Sequence, residues 1–255
     1  MHPYLNYYFS ALTKYQVHAP FVYEFLSDIF EDDRFYHYMG FTENYRRNLL
    51  ASGDKILVNQ QSKTIKQLVQ NLSIKPSVGE VLFKTVHKYK PATLLELGDS
   101  LGIAALYQAT PDPAVPLIAL VPDKTLANTT NNYFKRLGTR NIQLIAGNIT
   151  KTLPVALQQL NIVDHLFFNG FWGKAATLSY FETCLRQMPS NGVFIFRAPY
   201  TSKETQAFWE TAKKHEKVRL SIDIYDLGFL FFRVEQKQVA HYQIIESWKK
   251  PWAIF

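Results

Sequence analysis

A single cysteine, Cys184, stands among the 255 residues. It can form no internal disulfide, and a zinc site built from cysteines is excluded. Long apolar runs are also missing. The run near the C-terminus, 227–232, has six residues, against the ~18 that a membrane span needs. The N-terminus lacks a basic stretch followed by an apolar one, so no secretory signal is expected. Together these absences predict a soluble protein in a reducing, cytoplasmic setting. Charge is sparse too, at 19% of residues against 47% hydrophobic, which excludes disorder as a description of the whole chain. The basic excess, 28 Lys and Arg over 21 Asp and Glu, is diffuse and accompanied by no nucleic-acid motif, so nucleic acid is not the expected partner. What is plentiful is aromatic surface: 15% of residues are Phe, Trp or Tyr, and the first 45 positions are especially rich in them.

A chain of this length makes one large domain or two small ones, with a core that needs no staples. Its character changes near residue 90. Residues 1–75 show helical spacing and no convincing strand. Tyr4, Tyr7, Tyr8, Ala11, Leu12 and Tyr15 recur at three and four, and Pro20 can open a second helix, where its missing amide costs nothing. Further helices are expected over 45–50, 63–72 and from 77 to about 90. Beyond that, apolar runs alternate with helical stretches, the pattern of a parallel sheet. Strands are expected at 93–97, 117–120, 142–145, 163–168 and 192–196. The helices between and after them are expected at 101–109, 122–138, 153–160, 175–188 and 203–215. A final antiparallel hairpin is expected from 218–225 and 229–235 across Asp226-Leu227-Gly228. The fold class read from this is α/β: a Rossmann-like, mostly parallel seven-stranded sheet closed by a C-terminal antiparallel hairpin. An N-terminal helical cap, 1–75, precedes the α/β domain, 76–255.

The most informative stretch is Glu96-Leu97-Gly98-Asp99-Ser100-Leu101-Gly102, placed strand, turn, helix. Gly98 lets the chain turn sharply, and Gly102 is expected to let helix and strand approach. The amides of Ser100 to Gly102 are expected to face a ligand at the helix N-terminus. The same letters spell G-x-S-x-G, the nucleophile elbow of a serine hydrolase. In that alternative Ser100 attacks, with Asp223 and His241 completing the triad. Against it, the loop follows the first strand of the series, no HGGG-type oxyanion segment precedes it, and His241 lies past the last expected strand.

These residues resemble the first motif of class I S-adenosylmethionine-dependent methyltransferases, in its Ser-containing form. Within that family the likeness is to the catechol and caffeoyl-CoA O-methyltransferase-like group and its bacterial branch. It covers about 78–233, and Val17-His18-Ala19-Pro20-Phe21-Val22 resembles an N-terminal signature of the bacterial branch. The resemblance implies S-adenosylmethionine as cofactor, bound along Glu96, Gly98, Asp99, Ser100 and Gly102 and beside Leu120, Asn148 and Asn169. It also exposes degenerate motifs. The acid that takes the ribose hydroxyls falls at Ala119 or Leu120, with Asp123 a substitute or simply a helix-end residue. Gly147-Asn148 and Asn169-Gly170 stand where Gly-Asp and Asp-Gly are usual. Where metal-dependent members carry acidic or amide ligands, this chain has Asn169, Arg197 and Ala198, so no Mg²⁺ site is expected.

The reading is a metal-independent methyltransferase acting on a small-molecule acceptor. The alternative is a catalytically inactive relative, a pseudoenzyme kept for binding or scaffolding. A catalytic residue is not identified; His18 is the candidate base, since imidazole titrates near working pH. Phe171 and Trp172 are candidates to line an acceptor or adenine pocket, with ordinary packing the other reading.

Overall fold

The computed structural model describes residues 3–233 and 238–253. The chain forms two compact units, one of Met1–Arg34 with Phe171–Phe255, the other of Phe35–Gly170. The segment expected as one cap therefore supplies residues to both. It opens with helices α1 (Pro3–Ser10) and α2 (Pro20–Phe25), the second starting on Pro20 as expected and continuing as a π-helical turn, Leu26–Phe30.

The Phe35–Gly170 unit starts with α3 (His37–Ala51), longer than the helix expected at 45–50. Next come β1 (Lys55–Val58) and β2 (Gln61–Thr64), an antiparallel hairpin where no strand was expected. Asn59 and Gln60, with φ of 48° and 64°, make its two-residue turn, the conformation that matches strand twist. The pattern hid it because among these eight residues only Val58 is buried. Thr64 caps α4 (Ile65–Leu72) by accepting from the Gln67 amide at 3.1 Å, which delays the helix from 63 to 65. α5 (Pro76–Tyr89) leads into β3 (Leu94–Leu97), α6 (Ile103–Ala109), β4 (Leu117–Val121), α7 (Lys124–Leu137), β5 (Ile142–Ala146), α8 (Ile149–Leu160) and β6 (His165–Phe168). α8 begins four residues before the expected 153 because Asn148 caps it, and Pro154 lies inside the helix. The strands order β6-β3-β4-β5, all parallel. β3, β4 and β6 are buried throughout, as strands covered on both faces must be.

The other unit adds α9 (Lys174–Leu185), β7 (Val193–Arg197), α10 (Lys203–Lys213), β8 (Leu220–Asp223), β9 (Leu227–Phe231) and β10 (Ala240–Gln243), ordered β7-β9-β8-β10. β9 is antiparallel to both β7 and β8, while β10 lies parallel to β8. The hairpin thus forms, its second strand starting at Leu227; residues 234 and 235, expected to extend it, lie outside the described residues. β10 is an eighth α/β strand where seven were expected. It places His241, expected to lie past the last strand, within a strand of its own paired with β8. The N-terminal residues pack on this unit: Leu12 bridges Ile244, Phe25 meets Phe229 edge-on at 4.9 Å, and Lys250 donates to the Ala11 carbonyl at 2.6 Å. Among the described residues no helix is long and apolar enough to cross a membrane.

Candidate functional site

The carboxyl end of β3 is fixed by its neighbours. The Gly98 amide donates to the Leu120 carbonyl at 3.0 Å, and the Asn169 amide donates to the Leu97 carbonyl at 2.8 Å. Gly98 has φ +119°, and a Cβ there would stand 2.8 Å from the Gly170 nitrogen. Both conformation and space require glycine. Gly102 has φ +76°, and its Cβ would stand 2.3 Å from Cζ of Phe134. The close approach it permits is therefore to α7, not to the strand as expected.

Between these glycines the loop differs from the expected amide cradle. Oδ1 of Asp99 accepts from the Leu101 amide at 2.7 Å, an Asx turn. That amide is consequently spent inside the loop and does not face a ligand. Oδ2 of Asp99 is shielded from solvent and accepts no hydrogen bond. Burial, with repulsion from Asp123 added, pushes this carboxyl up to about 6, although the Leu101 and Ser100 amides work against the shift. Leu101, at φ 49°, is held by Tyr45 on α3, whose phenol donates to the Leu101 carbonyl at 2.8 Å. Burial, above all, and also Asp99 oppose ionisation of Tyr45. Nothing in the sequence marked Tyr45, since it lies 56 positions from its partner.

Glu96 is buried, and each carboxylate oxygen has a side-chain partner. Oε2 accepts from Gln108 at 2.7 Å and Oε1 accepts from Asn169 at 2.9 Å. Glu96 thus orients Asn169, and Gln108 is a further member that sequence reasoning missed. Leu120 is buried and apolar. Asn148 is exposed, its Oδ1 capping α8 through the Thr150 amide at 2.8 Å. Asp123 caps α7, accepting from the Leu126 amide at 2.9 Å.

The hydrolase residues have other partners. Ser100 is buried and its Oγ accepts from the Ala104 amide at 2.9 Å. His241 shares a hydrogen bond with Ser221 at 2.8 Å. The Asp223 carboxylate accepts from Tyr200, from Trp209 at 3.1 Å and from the Tyr225 amide at 3.0 Å. Nucleophile, base and acid are each engaged elsewhere. His18 is exposed ahead of α2. Phe171 and Trp172 serve packing in their own unit, against Phe196 at 6.3 Å and Tyr180 at 5.6 Å respectively. Among the described residues no group of three His, Cys, Asp or Glu is arranged to hold a metal.

No protein-family model matches the chain. Among solved structures, the SAH-bound methyltransferase PaMTH1 of Podospora anserina is similar with TM-score 0.59 and 16% identity, over 80% of this chain and 91% of that one. The O-methyltransferase TomG from Streptomyces achromogenes, in complex with SAM, gives TM-score 0.56 and 14% identity over 78% and 91%. The Bacillus cereus O-methyltransferase in complex with SAH gives 0.53 and 15% over 82% and 96%. This chain has the class I methyltransferase fold. In sequence, a tRNA (guanine-N(7)-)-methyltransferase of Campylobacter fetus subsp. fetus (strain 82-40) is 26% identical over 174 residues, 58% of this chain. The match spans less than half of that relative, 44%.

Proposed function

We propose that the chain is an S-adenosylmethionine-dependent methyltransferase that uses no metal and acts on a small-molecule acceptor. The observation that carries this is the loop after β3. A glycine at φ +119° leaves no room for a side chain, and beside it a buried carboxylate oxygen has no donor. The same carboxylate closes the turn through its other oxygen, which accepts from the Leu101 amide. The solved structures described above with SAM or SAH share the fold, and a Rossmann-like sheet takes its ligand at the carboxyl ends of its strands. In this reading the backbone at Gly98 and Ser100 admits the methionine part. Leu120 and Asn148 flank the nucleoside, and Asn169, held by Glu96, fixes the floor.

The bound cofactor supplies an electrophilic methyl group, so holding acceptor and methyl in line provides much of the rate enhancement. Asn169 brings an amide where a magnesium ligand set would need carboxylate oxygen. Turnover is therefore expected to be indifferent to EDTA and to added Mg²⁺; loss on chelation with recovery on Mg²⁺ would contradict this. His18 is the side chain to test as base, and unchanged turnover in His18→Ala would exclude it.

Calorimetric titration with S-adenosylmethionine and S-adenosylhomocysteine tests the reading directly. Ligand at about 100 times its Kd stabilises by about 2.7 kcal/mol, a melting shift of about 5–10 °C for a chain of this size. A flat melting temperature up to millimolar ligand, with null calorimetry, rejects it. Binding without turnover over a panel of hydroxyl and amine acceptors favours the inactive relative.

A further inference from the structure

The Phe35–Gly170 unit holds a second concavity at the other end of its strands. It opens at the amino ends of β4 and β5, on the turns that follow α6 and α7, and its volume is about 440 Å³. β4 is five residues long, so roughly 15 Å of strand lies between this opening and the loops at the carboxyl ends. The walls are apolar: Tyr38 and Phe41 from the start of α3, Leu106 and Ala109 from α6, Pro113 from the turn before β4, and Leu137 from α7. An apolar cavity of ~150 Å³ takes a benzene molecule, so this one has room for about two or three rings. It also falls within the ~300–1,000 Å³ usual for small-molecule sites. Tyr38 and Phe41 keep 50% and 38% of their surface exposed, and rings left so open gain from being covered.

The polar groups of the wall differ in whether they are already engaged. The Thr110 hydroxyl donates to the Leu106 carbonyl at 2.8 Å. The Asn141 side-chain amide donates to the carbonyls of Ala109 at 3.0 Å and Val115 at 3.1 Å. These bonds tie the end of α6 and the turn after it to the start of β5, which holds the walls in place. Arg140 also lines the cavity, is exposed, and its side chain makes no hydrogen bond or ion pair with any described residue. Closing α7 does not require it: the Gly138 and Thr139 amides donate to the carbonyls of Lys135 at 3.3 Å and Phe134 at 3.1 Å, a glycine-ended helix stop complete in itself. Lys135 and Arg136, in the last turn of α7, add positive charge nearby. Rings along one wall and an uncommitted guanidinium beside them suit a flat apolar body that carries a carboxylate.

We propose that this cavity is a second small-molecule site, taking aromatic carboxylates, with Arg140 receiving the acid and Tyr38 and Phe41 flanking the rings. It stands apart from the methyl-donor reading and holds whether or not the chain binds S-adenosylmethionine. The probes are 2-naphthoate and its neutral counterpart 2-naphthamide, titrated calorimetrically into the full chain and into Arg140→Gln and Leu137→Trp. Arg140→Gln alters an exposed side chain and removes only the charge, so it keeps the test decisive should Leu137→Trp, which fills the cavity, fail to fold; circular dichroism and melting check both. The unaltered chain is expected to bind 2-naphthoate with a Kd of about 0.05–1 mM, the range for a ligand of this size. It should prefer the acid over the amide by about 3- to 10-fold, the scale of an ion pair open to water. Arg140→Gln should bring that ratio close to one while the amide binds as before, and Leu137→Trp should weaken both probes at least 10-fold. No binding of either probe to the unaltered chain at millimolar concentration overturns the proposal. Binding that neither variant changes puts the probes elsewhere on the molecule and overturns it too. Loss of both probes in Leu137→Trp, with the preference for the acid intact in Arg140→Gln, refutes the assignment of the carboxylate to Arg140.

Discussion

At Asp99 the free protein holds a carboxylate in a place that disfavours its charge, and the consequence is measurable without any ligand. Its folded-state pKa, about 6, lies above the usual 3.8 because burial penalises the ionised form, with Asp123 adding to the effect. As pH falls, the folded chain takes up this proton before the unfolded chain does. Stability therefore rises from about pH 6 down to about 4 and is lowest, as far as this group is concerned, above pH 6. A shift of this size corresponds to about 1–3 kcal/mol. Asp99→Asn should raise the stability of the free protein by that order at pH 8, and the gain should vanish near pH 4. Urea melts at the two pH values decide it; a pH-independent difference would mean that the carboxylate is not strained. Tyr45 makes the opposite case. Tyr45→Phe loses the bond to the Leu101 carbonyl and leaves a positive-φ leucine without its clasp, so a loss of about 1–2 kcal/mol is expected. A melting temperature equal to that of the unaltered chain would show that Tyr45 does not hold the loop. Neither residue's role was legible beforehand. Asp99 was placed on the cofactor loop by its position in a motif, but its orphaned oxygen depends on how the loop folds back on itself.

The strand, loop and helix from Leu94 to Ala109 were the element most plainly written in the sequence, because two glycines in a short span between an apolar run and a helical one admit few other structures. The glycines were legible as necessary but their neighbours were not. Gly102 faces the ring of Phe134, 32 positions away, and sequence spacing says nothing about which helix packs there. This gives the element its own test. Gly102→Ala puts a methyl group into Phe134 and keeps an unfavourable φ, and should cost about 2–4 kcal/mol. Adding Phe134→Leu opens space and should recover part of the combined loss, a coupling that a double-mutant cycle measures. Strict additivity would refute the contact. Gly98→Val should be more severe, since the obstruction is backbone: Gly170 cannot rotate aside as a ring can. The elements that escaped the pattern share a physical cause. β1 and β2 bury only one residue between them, and β10 is a short strand whose register comes from pairing with β8, so neither carries a hydrophobic repeat of its own.

Across the whole molecule, the alternation of buried strands with helices announced the α/β class, while the division into two compact units did not show, because the first 34 residues pack with the chain's last 85. The same scale shows where acid acts. Asp223 in one unit and Asp99 in the other are both pushed up to about 6 by burial, so each unit contains a carboxyl that favours folding as pH drops toward 4. His165 works against them in the Phe35–Gly170 unit. It opens β6 fully buried, neither ring nitrogen has a partner, and burial pushes it down to about 3 from 6.5. The unfolded chain binds that proton from about pH 6.5, the folded chain only near pH 3, so the stability it confers is complete above about 6.5 and drains away below. By pH 4 the loss is about 3 kcal/mol at 1.36 kcal/mol per unit. His165→Leu, close in volume and free of titratable or unpaired polar atoms, should therefore be at least as stable as the unaltered chain at pH 8, since it also removes two unsatisfied nitrogens. Its advantage should grow by about 3 kcal/mol on going to pH 4, a widening of several degrees in melting temperature. Hydrogen exchange followed at both pH values would confine the gain to amides of the Phe35–Gly170 unit if the units unfold separately, and spread it over both if they unfold together. A His165→Leu advantage that stays constant between pH 8 and pH 4 would show that this imidazole finds water or a partner, and the acid sensitivity of the fold would then lie elsewhere.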